Sequence, residues 1–168
     1  MKKLVAKKSG VAGTGVFADE RIKAGERVLR MTGTRMTSKE ADAWAKKNKV
    51  RNDDWFQVAE DEYLRLDTVP NFINHSCNPN VGIHGEDQVI ALRTITKLEE
   101  IFYDYSTVVG SDAPDECSWS MRCKCGTTRC RSSIGNWETL PATRLSFYKK
   151  AKAFPKYILK QVLSLKSM

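Results

Sequence analysis

The period of the apolar positions changes along the chain. Up to about Leu92 they come in short alternating or continuous runs: Val16-Phe17-Ala18, Arg27 to Met31, Tyr63-Leu64-Arg65-Leu66 and Val89-Ile90-Ala91-Leu92. Runs this short predict strands, and the punctuation at Gly10, Gly13, Gly15 and Ile22-Lys23-Ala24-Gly25-Glu26 predicts the turns between them. Thr37-Ser38-Lys39-Glu40 interrupts that pattern with a capping box, in which Thr37 caps the Glu40 amide and Glu40 reaches back, so a short helix is expected through about Lys47. After Pro141 the spacing becomes helical. Leu145, Phe147 and Tyr148 are expected on one helix, ended by Pro155. Ile158, Leu159, Val162 and Leu163 then form a stripe at i, i+1, i+4, i+5 with lysines opposite. The body reads as mainly β with few helices and the tail as helical, with no internal repeat and no low-complexity linker.

Composition narrows the class. The chain has 168 residues, 41% of them hydrophobic, which fits one domain with a real core and excludes disorder and fibres. No stretch approaches the ~20 apolar residues of a membrane span. The charged start, Met1-Lys2-Lys3, is not followed by the apolar run of a signal peptide. The expected setting is intracellular: cytoplasmic or nucleoid-associated in a prokaryote, nuclear in a eukaryote or after secretion into a host. The net charge of +8 is unevenly spread. Residues 141–168 carry seven basic residues and no acid, whereas residues 53–116 carry 14 acids against Arg65, Arg93 and Lys97, a local net of −11. The basic tail suits an anionic partner such as nucleic acid, and the acidic middle a cationic one.

Three segments carry candidate chemistry. Asn71-Phe72-Ile73-Asn74-His75-Ser76-Cys77-Asn78-Pro79-Asn80 packs amides, an imidazole, a hydroxyl and a thiol into ten residues, although the same composition also makes ordinary turns. Four of the five cysteines crowd together, and Cys123, Cys125 and Cys130 form a C-x-C-x4-C array with Gly126 in the turn. Three thiolates so close point to zinc, which takes four ligands in a structural site; Cys77 and Cys117 are both candidates for the fourth. Glu99-Glu100-Ile101-Phe102-Tyr103-Asp104-Tyr105 alternates as a strand does.

In order, Gly13-x-Gly15, Asn74-His75-Ser76-Cys77, E-x-x-Y-D-Y and C-x-C-x4-C-R resemble the motif set of the SET-domain protein lysine methyltransferases. The resemblance runs from about Val5 to Trp137. Residues 117–141, with Trp119, Met121 and Leu140-Pro141, are most similar to small stand-alone prokaryotic SET proteins. Two positions depart from the pattern: Asn71 stands where many members carry Arg, and Met31 where many carry Tyr.

The resemblance implies a SET-domain fold of small curved sheets over residues 5–107, in which the NHSC and E-x-x-Y-D-Y segments cross as a pseudoknot. A post-SET zinc segment over 117–137 and a basic helical tail over 141–168 would follow. It implies S-adenosylmethionine as methyl donor, held by Gly13, Thr14, Gly15, Asn74, His75 and Tyr105. Tyr105 matches the catalytic tyrosine. Tyr103 matches a position that sets how many methyl groups are added. Zn2+ would be held by Cys77, Cys123, Cys125 and Cys130, leaving Cys117 spare. The implied partner is a basic protein with a target lysine: histone-like, chromatin or ribosomal. Two other readings stand beside this one, a zinc-containing nucleic-acid-binding protein using the basic tail and an inactive SET-type binding module.

Overall fold

The structure, a computed structural model, describes residues 2–49, 55–110 and 120–164. Cys117 and Trp119 lie outside the described residues. Short sheets build the body. β1 (Leu4–Lys8) pairs antiparallel with β2 (Thr14–Ala18), and β2 with β10 (Glu100–Tyr103). The same sheet ends in β7 (Asn74–His75), which runs parallel to β10. A second sheet is ordered β3 (Arg27–Arg30), β9 (Gln88–Ala91), β8 (Val81–His84), and a third β4 (Gly33–Met36), β6 (Glu62–Leu66), β5 (Phe56–Ala59). A hairpin of β11 (Met121–Arg122) and β12 (Ser133–Ile134) carries the cysteine array between its strands. Each sheet turns its branched residues inward, and Val16, Ile22, Val81, Ile83, Ile95 and Ile101 are fully buried in one core.

The expected helix α1 (Ser38–Asn48) forms with both arms of its capping box in place, and Lys49 closes it in the left-handed conformation at φ 54°. A short helix, α2 (Thr68–Asn71), leads into the Asn71–Asn80 segment.

In the tail, α3 (Ala142–Lys150) stops before Pro155, contrary to the expected stop. The Ala153 amide donates to the Tyr148 carbonyl and the Lys152 amide to the Lys149 carbonyl, with Lys152 at φ 52°. That is a Schellman closure with lysine where glycine is usual. Pro155 instead opens α4 (Lys156–Ser164), its carbonyl accepting from the Leu159 amide. The apolar stripe is buried at Ile158 and Val162 but exposed at Leu163, and Phe147 of α3 also faces solvent.

Trp137, Leu140, Tyr148, Phe154, Ile158 and Val162 make a second small core. That core is bonded to the body: the Lys156 amide donates to the Gly85 carbonyl at 2.5 Å, and Tyr157 Oη lies 2.5 Å from the Val108 carbonyl. Gly82 lies directly against the tail: a Cβ there would sit 2.5 Å from Ala153 Cβ. Gly82→Val should therefore push the tail off β8 and lower stability by ~1–3 kcal/mol, read as an earlier denaturant midpoint. An unchanged midpoint would show that the tail yields freely there.

Candidate functional site

The parallel pairing of β7 with β10 sets Asn74 opposite Phe102 and His75 opposite Tyr103. Asn80, almost fully buried, locks the crossing. Its side-chain oxygen accepts from the Phe102 amide at 2.8 Å, and its side-chain amide donates to the Glu100 carbonyl at 2.8 Å and Glu99 Oε1 at 3.0 Å. Glu99 is held down to about 2: burial opposes ionisation, and the Arg93 guanidinium, the Thr96 amide and Asn80 outweigh it.

Gly13, at φ 47°, makes the bend before β2, and Thr14 and Gly15 begin that strand. Asn74 Nδ2 donates to the carbonyls of Ala12 and Thr14, both at 3.0 Å, and to Glu100 Oε1 at 3.1 Å. One amide shares two hydrogens among three acceptors, so the corner is rich in negative potential. A Cβ on Gly15 would collide with the Glu100 carboxylate, so only glycine leaves this corner open. A cationic ammonium group matches such an acceptor-lined corner, and the Gly13, Thr14, Gly15 and Asn74 set thus fits the amino end of S-adenosylmethionine.

Beside it stand the two tyrosines, with ring centroids 4.8 Å apart. Tyr105 donates its hydroxyl to the Ile73 carbonyl at 3.0 Å, which aims its oxygen lone pairs away from that carbonyl. Tyr103 is buried, and that burial pushes its phenol well above the ordinary value, so it stays protonated. Among the described residues no hydrogen bond is made to the Tyr103 hydroxyl.

The cysteines converge behind this wall. Cys123 meets the thiols of Cys77, Cys125 and Cys130, and the Cys77–Cys123 sulfur distance is 3.6 Å. Four sulfurs ~2.3 Å from a tetrahedral zinc would lie about 3.8 Å apart, so the donor set fits that ion. Backbone amides point at two of the sulfurs, Arg131 N–H at Cys77 and Ser132 N–H at Cys130, as thiolates require.

His75 is the competing ligand. Its imidazole and the thiols of Cys77, Cys123 and Cys125 all lie within 4.8 Å of one another, a group that omits Cys130. Hydrogen bonding decides between them. Burial, opposed by Asp104 and assisted by Arg131, lowers His75 to about 4, so it is neutral near pH 7. Its Nδ1 accepts from the Tyr105 amide at 3.1 Å, which puts the ring proton on Nε2, 3.3 Å from Cys77 Sγ. A neutral imidazole bound to metal through Nε2 would carry its proton on Nδ1, against that amide. His75 therefore donates to a sulfur and supports the ligand; it is not itself one.

Sequence reasoning assigned no role to Asp104, although it sits inside Y-D-Y. It is 1% exposed. Oδ1 accepts from Arg131 Nη2 at 2.6 Å and from the Ser106 amide at 3.1 Å, and Oδ2 from Tyr148 Oη at 2.9 Å. Arg131 follows Cys130 and Tyr148 lies on α3, so the thiol segment and the tail both grip the residue between the two tyrosines. The arginine of C-x4-C-R was a signal available in the sequence. Tyr148 offered none, being spaced like any helical core residue.

The acidic middle is also less acidic in three dimensions. Arg30 pairs with Asp87, Arg35 with Glu62 and Arg131 with Asp104, all three arginines coming from outside residues 53–116.

An open, mainly β body with an acceptor-lined corner, a buried aromatic pair and a thiol cluster defines a class of protein, and comparison names it. The model of the SET domain matches residues 13–106, and the chain belongs to the SET-domain family. It is 31% identical over 149 residues to the histone-lysine N-methyltransferase ASHH3 of Arabidopsis thaliana, covering 80% of this chain and 39% of that protein. It is 31% identical over 158 residues to the H3 lysine-9 specific histone-lysine N-methyltransferase dim-5 of Neurospora crassa, covering 73% and 48%. Of ATX2 from Arabidopsis thaliana and 2B from Homo sapiens, two further histone-lysine N-methyltransferases, the chain spans 13% and 5% of the length. Among solved structures, ctPRC2 in an autoinhibited conformation bound to S-adenosylmethionine superposes with a TM-score of 0.57 at 22% identity, over 66% of this chain and 16% of that one. That likeness shows the fold.

The sulfur arrangement makes a direct prediction. Metal analysis should give one zinc per chain, and X-ray absorption should show four sulfur neighbours at about 2.3 Å. A shell with one nitrogen would replace Cys130 by His75 and overturn the tautomer argument.

Proposed function

We propose that the chain is an S-adenosylmethionine-dependent protein-lysine N-methyltransferase acting on a basic, histone-like protein. The observation that carries this reading is the β7–β10 crossing, which puts the acceptor-lined corner, Tyr103 and Tyr105 on adjoining stretches of backbone. The relatives named as histone-lysine N-methyltransferases support it, as does the fold neighbour that holds S-adenosylmethionine.

When bound, the cofactor supplies an electrophilic methyl group. Gly13, Thr14, Gly15 and Asn74 would hold its methionine end through backbone carbonyls and the Glu100 carboxylate, and His75 the adenine side through its backbone. The substrate ammonium, with an ordinary pKa near 10.4, must lose its proton before it can attack. Among the described residues the two titratable groups beside the tyrosines are engaged elsewhere, Asp104 with Arg131 and Tyr148 and the His75 Nδ1 with the Tyr105 amide. The aromatic walls do that work by removing water, which disfavours the charged amine. Tyr105, fixed by Ile73 on its hydroxyl and by its own amide on His75, orients the neutral amine through its oxygen.

The Tyr103 hydroxyl, without a bond to any described residue, suits a water held beside the amine. Displacing a well-held water without replacing its bonds is unfavourable. The product should therefore be mainly monomethyl-lysine.

Incubation with labelled cofactor and basic proteins, followed by mass spectrometry, tests this. Tyr105→Phe should keep the fold and lower turnover ~100-fold or more. Tyr103→Phe should shift products toward di- and trimethyl-lysine, because a hydroxyl bond of ~1–3 kcal/mol is five- to hundredfold in rate. Absence of methyl-lysine on every basic protein tried, or wild-type turnover in Tyr105→Phe, would sink the reading.

A further inference from the structure

One cleft lies apart from the acceptor-lined corner and the tyrosines. It measures about 400 Å³ and is lined by Pro79 and Leu92, by Arg93, Arg129 and Arg144, and by Phe147, with Asn78 and Thr143 at its margin. It shares no residue with the acceptor-lined corner, the tyrosines or the thiols.

Three separate segments send a guanidinium here. Arg93 follows β9, Arg129 belongs to the cysteine array, and Arg144 sits in the first turn of α3. Arg93 is already partnered, its Nη2 2.6 Å from Glu99. Among the described residues no carboxylate pairs with Arg129 or Arg144. Arg144 Nη2 is buried with no hydrogen-bond partner, an arrangement that costs free energy unless an acceptor arrives. Pro141 caps α3 without a side-chain bond, so the positive end of the helix dipole opens on the same side.

The apolar part of the lining is Pro79, Leu92 and Phe147. Phe147, three residues on from Arg144 on the same helix face, is 43% exposed. Guanidiniums beside an exposed ring match a phosphate joined to a flat base. The volume holds about one nucleotide, and the lysines of α3 and α4, with no acid among residues 141–168, extend the positive field beyond it.

We propose that this cleft binds one phosphodiester unit of a single-stranded nucleic acid, with the phosphate on Arg129 and Arg144 and the base stacked on Phe147. Tyr148 and Phe154 are buried in the second core, so the aromatic contact falls to Phe147. The proposal does not depend on methyl transfer: a chain that proved inactive would keep the cleft.

The test is fluorescence anisotropy of a short labelled single-stranded oligonucleotide over a range of salt, with wild type, Arg129→Glu, Phe147→Ala and Lys160→Glu. All three substituted residues are exposed, so equal melting temperatures verify the fold. One neutralised phosphate predicts a slope of log affinity against log salt of about −0.7, shallower in Arg129→Glu. Arg129→Glu should weaken binding about tenfold and Phe147→Ala about fivefold or more, the loss of one stacked base. Lys160→Glu, the same charge change outside the cleft, should lose much less. Equal losses in Arg129→Glu and Lys160→Glu would assign binding to the diffuse charge of the tail and overturn the proposal. Unaltered affinity in Phe147→Ala would overturn it too. So would competition by polyglutamate as strong as by unlabelled oligonucleotide, which would make the cleft a site for acidic peptide.

Discussion

A carboxylate removed from water must be repaid by charge and hydrogen bonds, and Asp104 is where this structure concentrates that demand. Its two oxygens take a guanidinium from the thiol segment, a phenol from the C-terminal helices and an amide from its own turn. Removing one partner of a buried ion pair typically costs ~3–5 kcal/mol, because the remaining charge is stranded. Three parts of the chain far apart in sequence are thus held at one point, and that point lies between Tyr103 and Tyr105.

The thiol cluster belongs to the same arrangement. Arg131 gives its guanidinium to Asp104 and its backbone amide to Cys77, while His75 links Cys77 to the Tyr105 amide. Filling the cluster with zinc would immobilise Cys123 to Cys130 and with them the approach of Arg131. Two hydrogen-bonded routes, one by the His75 imidazole and one by the Arg131 guanidinium, would then connect the thiol cluster to the tyrosine turn.

Much of this was legible from residues alone. Short strands followed from short alternating or continuous apolar runs, and α1 from a capping box whose two halves are spelled out at Thr37 and Glu40. Asn74, His75, Cys77 and the tyrosines stood out because the segments that carry them, taken in order, resemble the SET-domain motif set. What remained hidden shares a cause: it depends on partners distant in sequence. The acidic run of residues 53–116 looked like an exposed field until Arg30, Arg35 and Arg131 folded onto it. The end of α3 was assigned to Pro155, whereas Lys152 accepts the left-handed conformation that closes the helix earlier. Tyr148 could not be told from a packing residue, since only the fold brings its hydroxyl to Asp104.

If Asp104 joins these parts, its two long-range partners must act on the tyrosine turn together. The direct measurement is a double-mutant cycle on single-turnover methyl transfer, with Arg131→Gln, Tyr148→Phe and the double variant, each checked for melting and bound zinc. Partners sharing one carboxylate should couple by ~0.5–3 kcal/mol, so the double variant should lose clearly less than the product of the two single losses. Losses that simply multiply, or rates equal to wild type in both single variants, would show that the carboxylate does not link the thiol segment and the tail to Tyr105.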